Sequence, residues 1–170
     1  MDALALLCLG ILPALVIIGG LHDLTTMKIP NWVSGWLIVA FFPAALLIGL
    51  QPMGVAIHVA VAIAALLIGM GLFALHFLGG GDVKLIAAAC LWLGAAGAGV
   101  FVLTTAVIGG LLCLALILAR TWLRPYLGGR PGWVARLMEP KGDIPYGVAI
   151  AAGVLVAWPT SPLMTTFLAG

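Results

Sequence analysis

Charge is what this sequence has least of. Seven Lys or Arg and five Asp or Glu make up only 7% of its 170 residues, whereas a soluble domain carries roughly 25% charged residues. The chain is instead 65% hydrophobic, and its apolar runs reach the ~20 residues that cross a bilayer as a helix. The composition excludes a soluble globular enzyme and a disordered chain, and it predicts an integral membrane protein.

Cysteine is also scarce, and the common hydrolase motifs are missing. Cys8, Cys90 and Cys113 each stand alone in an apolar stretch, without a CxxC pair, so neither a disulfide framework nor a zinc site is indicated. The sequence contains no GxSxG and no HExxH motif, which argues against the serine and zinc routes of hydrolysis. We expect no metal and no cofactor, with ligation by the scattered histidines as the less favoured alternative. A net charge of +2 gives no reason to expect nucleic acid as a partner, since basic residues beside a membrane usually report topology.

Polar clusters divide the chain into six apolar segments. Six helices of about 20 residues use about 120 residues, which leaves no room for a separate soluble domain. We therefore predict one all-α domain over residues 1–170, folded as a six-helix transmembrane bundle. The predicted helices are Ala3–Leu21, Trp32–Leu50, Met53–Leu75, Val83–Gly97, Gly99–Ala119 and Tyr146–Ala169.

The cations predict the orientation of this bundle. Lys28, Lys84 and the five Lys or Arg between residues 120 and 141 all fall on one face of the six-helix arrangement. The positive-inside rule makes that face cytoplasmic, so both termini lie outside and a cytoplasmic loop covers about residues 120–145. In that loop a short interfacial helix is predicted, serving as a lipid-anchored connector or as a docking surface for a membrane-inserted substrate. Its apolar stripe would contain Val134, Leu137 and Met138.

Two aspartates are expected at the same cytoplasmic edge. Asp23 lies just past predicted helix one, and Asp82 follows three glycines just before predicted helix four. Two crossings separate them, so they return to one face although they are 59 positions apart in the sequence. Each alone is explained as a solvated loop charge. The glycines allow unusual backbone conformations and close approach, and Pro30 shapes the Asp23 segment into a loop.

A pair of carboxyl groups at a low-dielectric edge has specific chemistry. Both cannot ionise easily, so one keeps its proton and the two share a coupled titration. Such a pair can activate water and polarise a peptide carbonyl without a metal or a covalent intermediate. Asp23 and Asp82 are therefore candidates for general acid and base.

The sequence resembles the type IV prepilin peptidase family of membrane aspartyl proteases. That family pairs an Asp in a D-x5-IPN-like loop with a second Asp in GxGD-[VIA]-K. Here the first motif is Asp23 with Ile29-Pro30-Asn31, and the second is Gly79-Gly80-Gly81-Asp82-Val83-Lys84. Residues 145–150 also match the family pattern at the start of its last helix.

The resemblance implies an aspartic endopeptidase of the cytoplasmic (inner) membrane, which removes short basic leaders from prepilin-like proteins at the cytoplasmic membrane edge. Larger relatives carry a Cys-rich N-terminal region and methylate the new N-terminus. That region is absent here, so we expect a peptidase without methyltransferase activity, like the compact enzymes of Tad/Flp-type pilus systems or the archaeal preflagellin branch. Asp23 and Asp82 match the catalytic positions, and Gly79, Gly81, Lys84, Pro30 and Asn31 match supporting motif positions.

Other functions remain open at this point. Presenilin-like proteases also use GxGD, but their first aspartate follows a Tyr inside a helix, whereas Asp23 follows His22 in a segment that ends at Pro30. A small multi-span transporter or channel subunit is the alternative from another class, because ionisable residues near membrane depth often mark ion paths.

Overall fold

The computed structural model describes residues 3–122, 132–139 and 142–169. Regular structure within these ranges is helical throughout, as expected for backbone that must satisfy its own hydrogen bonds in lipid. The helices are α1 (Ala3–Thr26), α2 (Asn31–Ile48), α3 (Pro52–Ala74), α4 (Gly80–Trp122), α5 (Gly132–Leu137), α6 (Tyr146–Ala157) and α7 (Pro162–Ala169), with a 3-10 turn (Trp158–Thr160) between the last two.

Five helical runs are long and apolar enough to cross a membrane: α1, α2, α3, α4, and residues 146–169, which comprise α6, the 3-10 turn and α7. Large apolar side chains cover the outside of the bundle; Leu46 and Phe77, for example, are 76% and 75% exposed. Apolar surface of this extent is stable only against lipid or another apolar partner. The prediction of an all-α, multi-pass membrane protein is confirmed.

The label α4 covers two helical limbs, which correspond to predicted helices four and five and meet at a reversal of chain direction. Gly94 has φ 60° and ψ −170°, a backbone conformation that essentially only glycine adopts. After this bend α4 runs beside α6 in the opposite direction, with Gly97 near the carbonyl of Ala157 and Gly109 against the ring of Tyr146. The two limbs of α4 therefore supply two crossings, and the predicted boundary near residues 97–99 is wrong by a few residues.

The first limb of α4, residues 80–93, forms the centre of the bundle. Its 14 residues are about 21 Å long, which is shorter than the ~30 Å hydrocarbon core. The limb packs against α2 and α3, and its residues 87–93 are all buried. Trp92 is fully buried and donates its indole N–H to the Leu37 carbonyl at 2.8 Å. This short segment is therefore surrounded by other helices of the bundle.

His58 of α3 fills the inside of the bend. It is 2% exposed, and its Nδ1 donates to the Leu91 carbonyl at 2.7 Å. Its ring stacks on Phe41 with centroids 5.5 Å apart. A Cβ on Gly94 would lie 2.7 Å from the His58 ring, so the glycine is required by both backbone and space. These contacts tie α2 and α3 to the reversal in α4.

Several predicted boundaries move. α1 continues to Thr26 and α4 begins at Gly80, so both helices are longer than predicted at the end that carries the two aspartates. The short helix predicted in the long loop is present as α5, but Leu137 is buried and α5 contacts α1. Residues 123–131 and 140–141 of the predicted cytoplasmic loop lie outside the described residues.

Candidate active site

Asp23 lies in the last turn of α1, and not in a loop after it as predicted. It is only 6% exposed, and its Oδ2 accepts a hydrogen bond from the backbone N–H of Gly147 at 2.8 Å. Gly147 is the second residue of α6, where the first backbone N–H groups have no partner within the helix. No side chain caps α6 from its own N-cap residue, Pro145. Asp23 therefore caps a helix 124 positions away in the sequence.

Asp82 lies in the first turn of α4. The sequence predicted it in the loop before this helix, so this prediction was also wrong by a few residues. Its Oδ2 accepts from the backbone N–H of Gly79 at 3.1 Å, which is the side-chain-to-backbone half of a capping box. The side chain is half-buried. The Asp23 carboxyl therefore lies at the N-terminus of α6, and the Asp82 carboxyl lies at the N-terminus of α4. Unpaired N–H groups and aligned peptide dipoles at a helix N-terminus stabilise negative charge.

The two carboxyls line one cleft of about 300 Å³. One wall is the α1–α2 turn, and the other is the glycine run at the start of α4. The predicted juxtaposition of the two aspartates is therefore present in the fold. The cleft residues are Asp23, Met27, Lys28, Ile29, Gly79, Gly80, Gly81 and Asp82.

The glycines of the GxGD motif are needed because they lack side chains. The sequence suggested unusual backbone conformations for this run, but the positive-φ glycines in the described residues are Gly49 and Gly94. A Cβ on Gly79 would lie 2.9 Å from Oδ2 of Asp82, and one on Gly81 would lie 3.2 Å from Cβ of Ile29. Without side chains, the start of α4 packs directly against the α1–α2 turn.

Lys84 and Asn31 link the two motifs. The Lys84 ammonium donates to Oδ1 of Asn31 at 2.9 Å, across 53 positions of sequence. Asn31 is the first residue of α2, and Pro30 is its N-cap, with the extended φ of −66° and ψ of 134°. The supporting residues that the sequence suggested are therefore brought together, and they join the turn after Asp23 to the helix that carries Asp82.

Two contributors to this site were missed by sequence reasoning. His22 donates through Nδ1 to the Lys28 carbonyl at 2.8 Å and so closes the α1–α2 turn, in which Met27 adopts a φ of 57°. Gly147 supplies the N–H to Asp23, and a Cβ there would lie 2.9 Å from both Cβ and Oδ2 of Asp23. The Pro-Tyr-Gly sequence at the start of α6 marked this position, but nothing in the sequence alone paired it with Asp23.

Comparison with known proteins found a matching family model. The model of the type IV leader peptidase family matches residues 10–114, a stretch that contains both aspartates and their motifs. No curated protein and no solved structure matches the chain. The family match covers more than half of the 170 residues and includes α1, the α1–α2 turn and the start of α4, so the protein belongs to the type IV leader peptidase family.

Proposed function

We propose that this protein is a membrane aspartic endopeptidase that removes leader peptides from prepilin-like proteins at the cytoplasmic edge of the inner membrane. The observation that carries the proposal is the single cleft lined by Asp23 and Asp82. Each carboxyl accepts one backbone N–H, from Gly147 and Gly79 respectively. The carboxyls are thus oriented while other lone pairs stay free to bind water or substrate.

The chemistry follows from two close carboxyls that share one proton. The ionised carboxylate removes a proton from a water molecule as the water oxygen bonds to the scissile carbonyl carbon. The protonated carboxyl donates its hydrogen bond to the carbonyl oxygen and stabilises the negative charge that develops there. Proton transfer to the departing amide nitrogen then breaks the C–N bond and restores the shared-proton state.

The location of the cleft supports cleavage at a membrane edge. Asp23 is in the last turn of one crossing helix and Asp82 in the first turn of another, so both lie at an end of the bundle. Lys28 lines the cleft and Lys84 is beside it, and a cluster of cations marks the cytoplasmic side by the positive-inside rule. A prepilin whose apolar segment stays in the bilayer would present its leader junction at this level.

Helix capping is the purely structural explanation for both aspartates, and it can be tested. An Asn keeps an oxygen that accepts from a backbone N–H, so Asp23→Asn and Asp82→Asn retain a capping acceptor but cannot exchange protons. We expect either variant to abolish cleavage of a co-expressed prepilin while the protein stays folded in the membrane. Glu139→Gln is the matched control, because Glu139 is an exposed acidic residue outside the cleft.

Mass spectrometry of the mature N-terminus measures the outcome. Cleavage by wild type and Glu139→Gln, with uncut substrate in both Asn variants at equal expression, supports the proposal. Full activity of Asp82→Asn would refute the carboxyl pair, whereas a lack of cleavage by wild type would favour the transporter alternative. The same spectra show whether a methyl group is added to the new N-terminus. Treatment with a chelator tests the prediction that no metal takes part.

A further inference from the structure

Arg120 makes an unusual set of contacts near the end of α4. Its guanidinium donates three hydrogen bonds to backbone carbonyls: Nε to Leu137 at 2.8 Å, Nη1 to Gly142 at 2.9 Å and Nη2 to Asp143 at 2.7 Å. These carbonyls belong to the end of α5 and to the segment that leads into α6. One side chain therefore holds the end of α5 and the segment before α6 against the second limb of α4. We call these three hydrogen bonds the Arg120 clasp.

The segment held by Arg120 leads directly to the candidate active site. Gly142 and Asp143 precede α6 by only a few residues, and Gly147 is the second residue of that helix. The Gly147 N–H binds Oδ2 of Asp23 at 2.8 Å. Any shift in the backbone of residues 142–145 therefore moves the group that orients the Asp23 carboxyl.

An arginine that serves only to set the membrane topology does not need this geometry. Arginine beside a membrane helix often serves only to orient the protein or to reach the interface with its charged end. Such a role requires a charge and is met equally well by lysine. Arg120 instead uses the planar fork of the guanidinium, whose donors point in fixed directions. A lysine ammonium also has three N–H donors, but all of them belong to one nitrogen, so it cannot occupy the three separate positions of the guanidinium nitrogens.

We propose that Arg120 is a positioning residue for the peptidase reaction, which acts on Asp23 through the clasped segment 142–145 and the N–H of Gly147. This inference rests on the proposed function, since it assigns Asp23 a part in the chemistry. Loss of the clasp leaves the charge and topology of the protein in place but loosens the orientation of one carboxyl. Misplacement by about 1 Å can cost about 100-fold in rate, so the turnover rate falls while substrate binding is retained.

The test compares Arg120→Lys with Arg136→Lys in the full-length protein. Arg136 is the matched control, because it is an exposed arginine on α5 in the same part of the chain. With a prepilin-like substrate that wild type cleaves, we expect Arg120→Lys to lower kcat by ~10- to 100-fold, with KM within about twofold of wild type. Arg136→Lys should match wild type in both constants.

Hydrogen exchange gives a second readout that does not depend on activity. In folded protein, the Gly147 amide should exchange faster in Arg120→Lys than in Arg136→Lys, because Asp23 is its only hydrogen-bond acceptor in the described structure. Thermal unfolding in detergent reports whether each variant is folded, and Arg120→Gln serves as a second variant that removes the charge as well.

The possible outcomes separate this inference from the proposed function. If wild type cleaves and Asp82→Asn does not, but Arg120→Lys behaves like Arg136→Lys, the clasp is refuted and the peptidase stands. A raised KM with unchanged kcat, or failure of both Arg120 variants to fold, overturns the positioning role in favour of a general structural one. If wild type cleaves no prepilin-like substrate, the proposed function fails, and the exchange of Gly147 still shows whether Arg120 holds this segment.

Discussion

Gly147→Ala tests the orientation of Asp23 with a single methyl group. The added Cβ would lie 2.9 Å from both Cβ and Oδ2 of Asp23, and 3.1 Å from Cδ1 of Ile29. Carbon atoms in contact are ordinarily about 3.5–4.0 Å apart, so the Asp23 side chain must shift by roughly 0.6–1 Å. The N–H that binds Asp23 is retained, so the substitution changes the position of the carboxyl without removing its hydrogen-bond donor.

A displacement of this size has a large expected effect on turnover. Because a shift of about 1 Å in a reacting group can cost about 100-fold in rate, we expect kcat of Gly147→Ala to fall by about that factor. Overpacking of this kind typically costs about 1–3 kcal/mol of stability, so the variant should remain folded with a lowered unfolding temperature. The assay is cleavage of a prepilin-like substrate by purified protein, with thermal unfolding measured on the same samples.

Gly35→Ala is the matched control for this substitution. Gly35 lies on α2, and a Cβ there would meet no atom within 4 Å. We expect wild-type turnover and equal or higher stability, since alanine favours helix over glycine by up to about 1 kcal/mol. Wild-type kcat in folded Gly147→Ala would show that the position of Asp23 does not limit the reaction, and the reasoning from this contact would be wrong.

Three further predictions test other parts of the site and fold. Lys84→Met removes the donor to Asn31 and should lower kcat; Asn31→Ala should cause a similar loss, and the double variant little more, because both break one contact. Gly94→Ala should destabilise the protein by about 3 kcal/mol or more, because it combines a backbone conformation that costs alanine about 1–3 kcal/mol with a clash against His58. Adding His58→Ala should relieve the clash but not the backbone cost, which detergent unfolding would measure. A cysteine at Gln51 should react with an impermeant reagent from outside intact spheroplasts, and labelling only from the cytoplasm would contradict the predicted topology.

The sequence by itself determined that this is an all-α membrane protein. Scarce charge and long apolar runs are properties of composition, and they predict membrane helices because each helix satisfies its own backbone hydrogen bonds in lipid. The spacing of Asp23 and Asp82 across two predicted crossings was enough to place both on one face. The motif residues Lys84 and Asn31 were named as well, although their direct contact could not be deduced from the sequence.

Helix ends were harder to predict, since hydropathy falls before a helix stops. α1 continues past the apolar stretch to Thr26, and α4 begins in the glycine run at Gly80. Both aspartates therefore lie inside terminal helical turns. The predicted division between helices four and five was misplaced for a related reason. Gly94, Gly97 and Gly99 all lie in this stretch, and the structure has the bend at Gly94, where the His58 ring leaves no room for a Cβ.

The tertiary structure alone decided which distant groups meet. Asp23 binds Gly147 across 124 positions, and Arg120 binds the carbonyls before α6. Backbone N–H and C=O groups occur at every non-proline residue, so no sequence pattern marks the ones that a side chain will bind. That choice depends on how α1, α4 and α6 pack, and this packing places the Gly147 N–H beside Asp23. The residue types thus predicted a carboxyl pair, whereas the fold determined what holds each carboxyl in place.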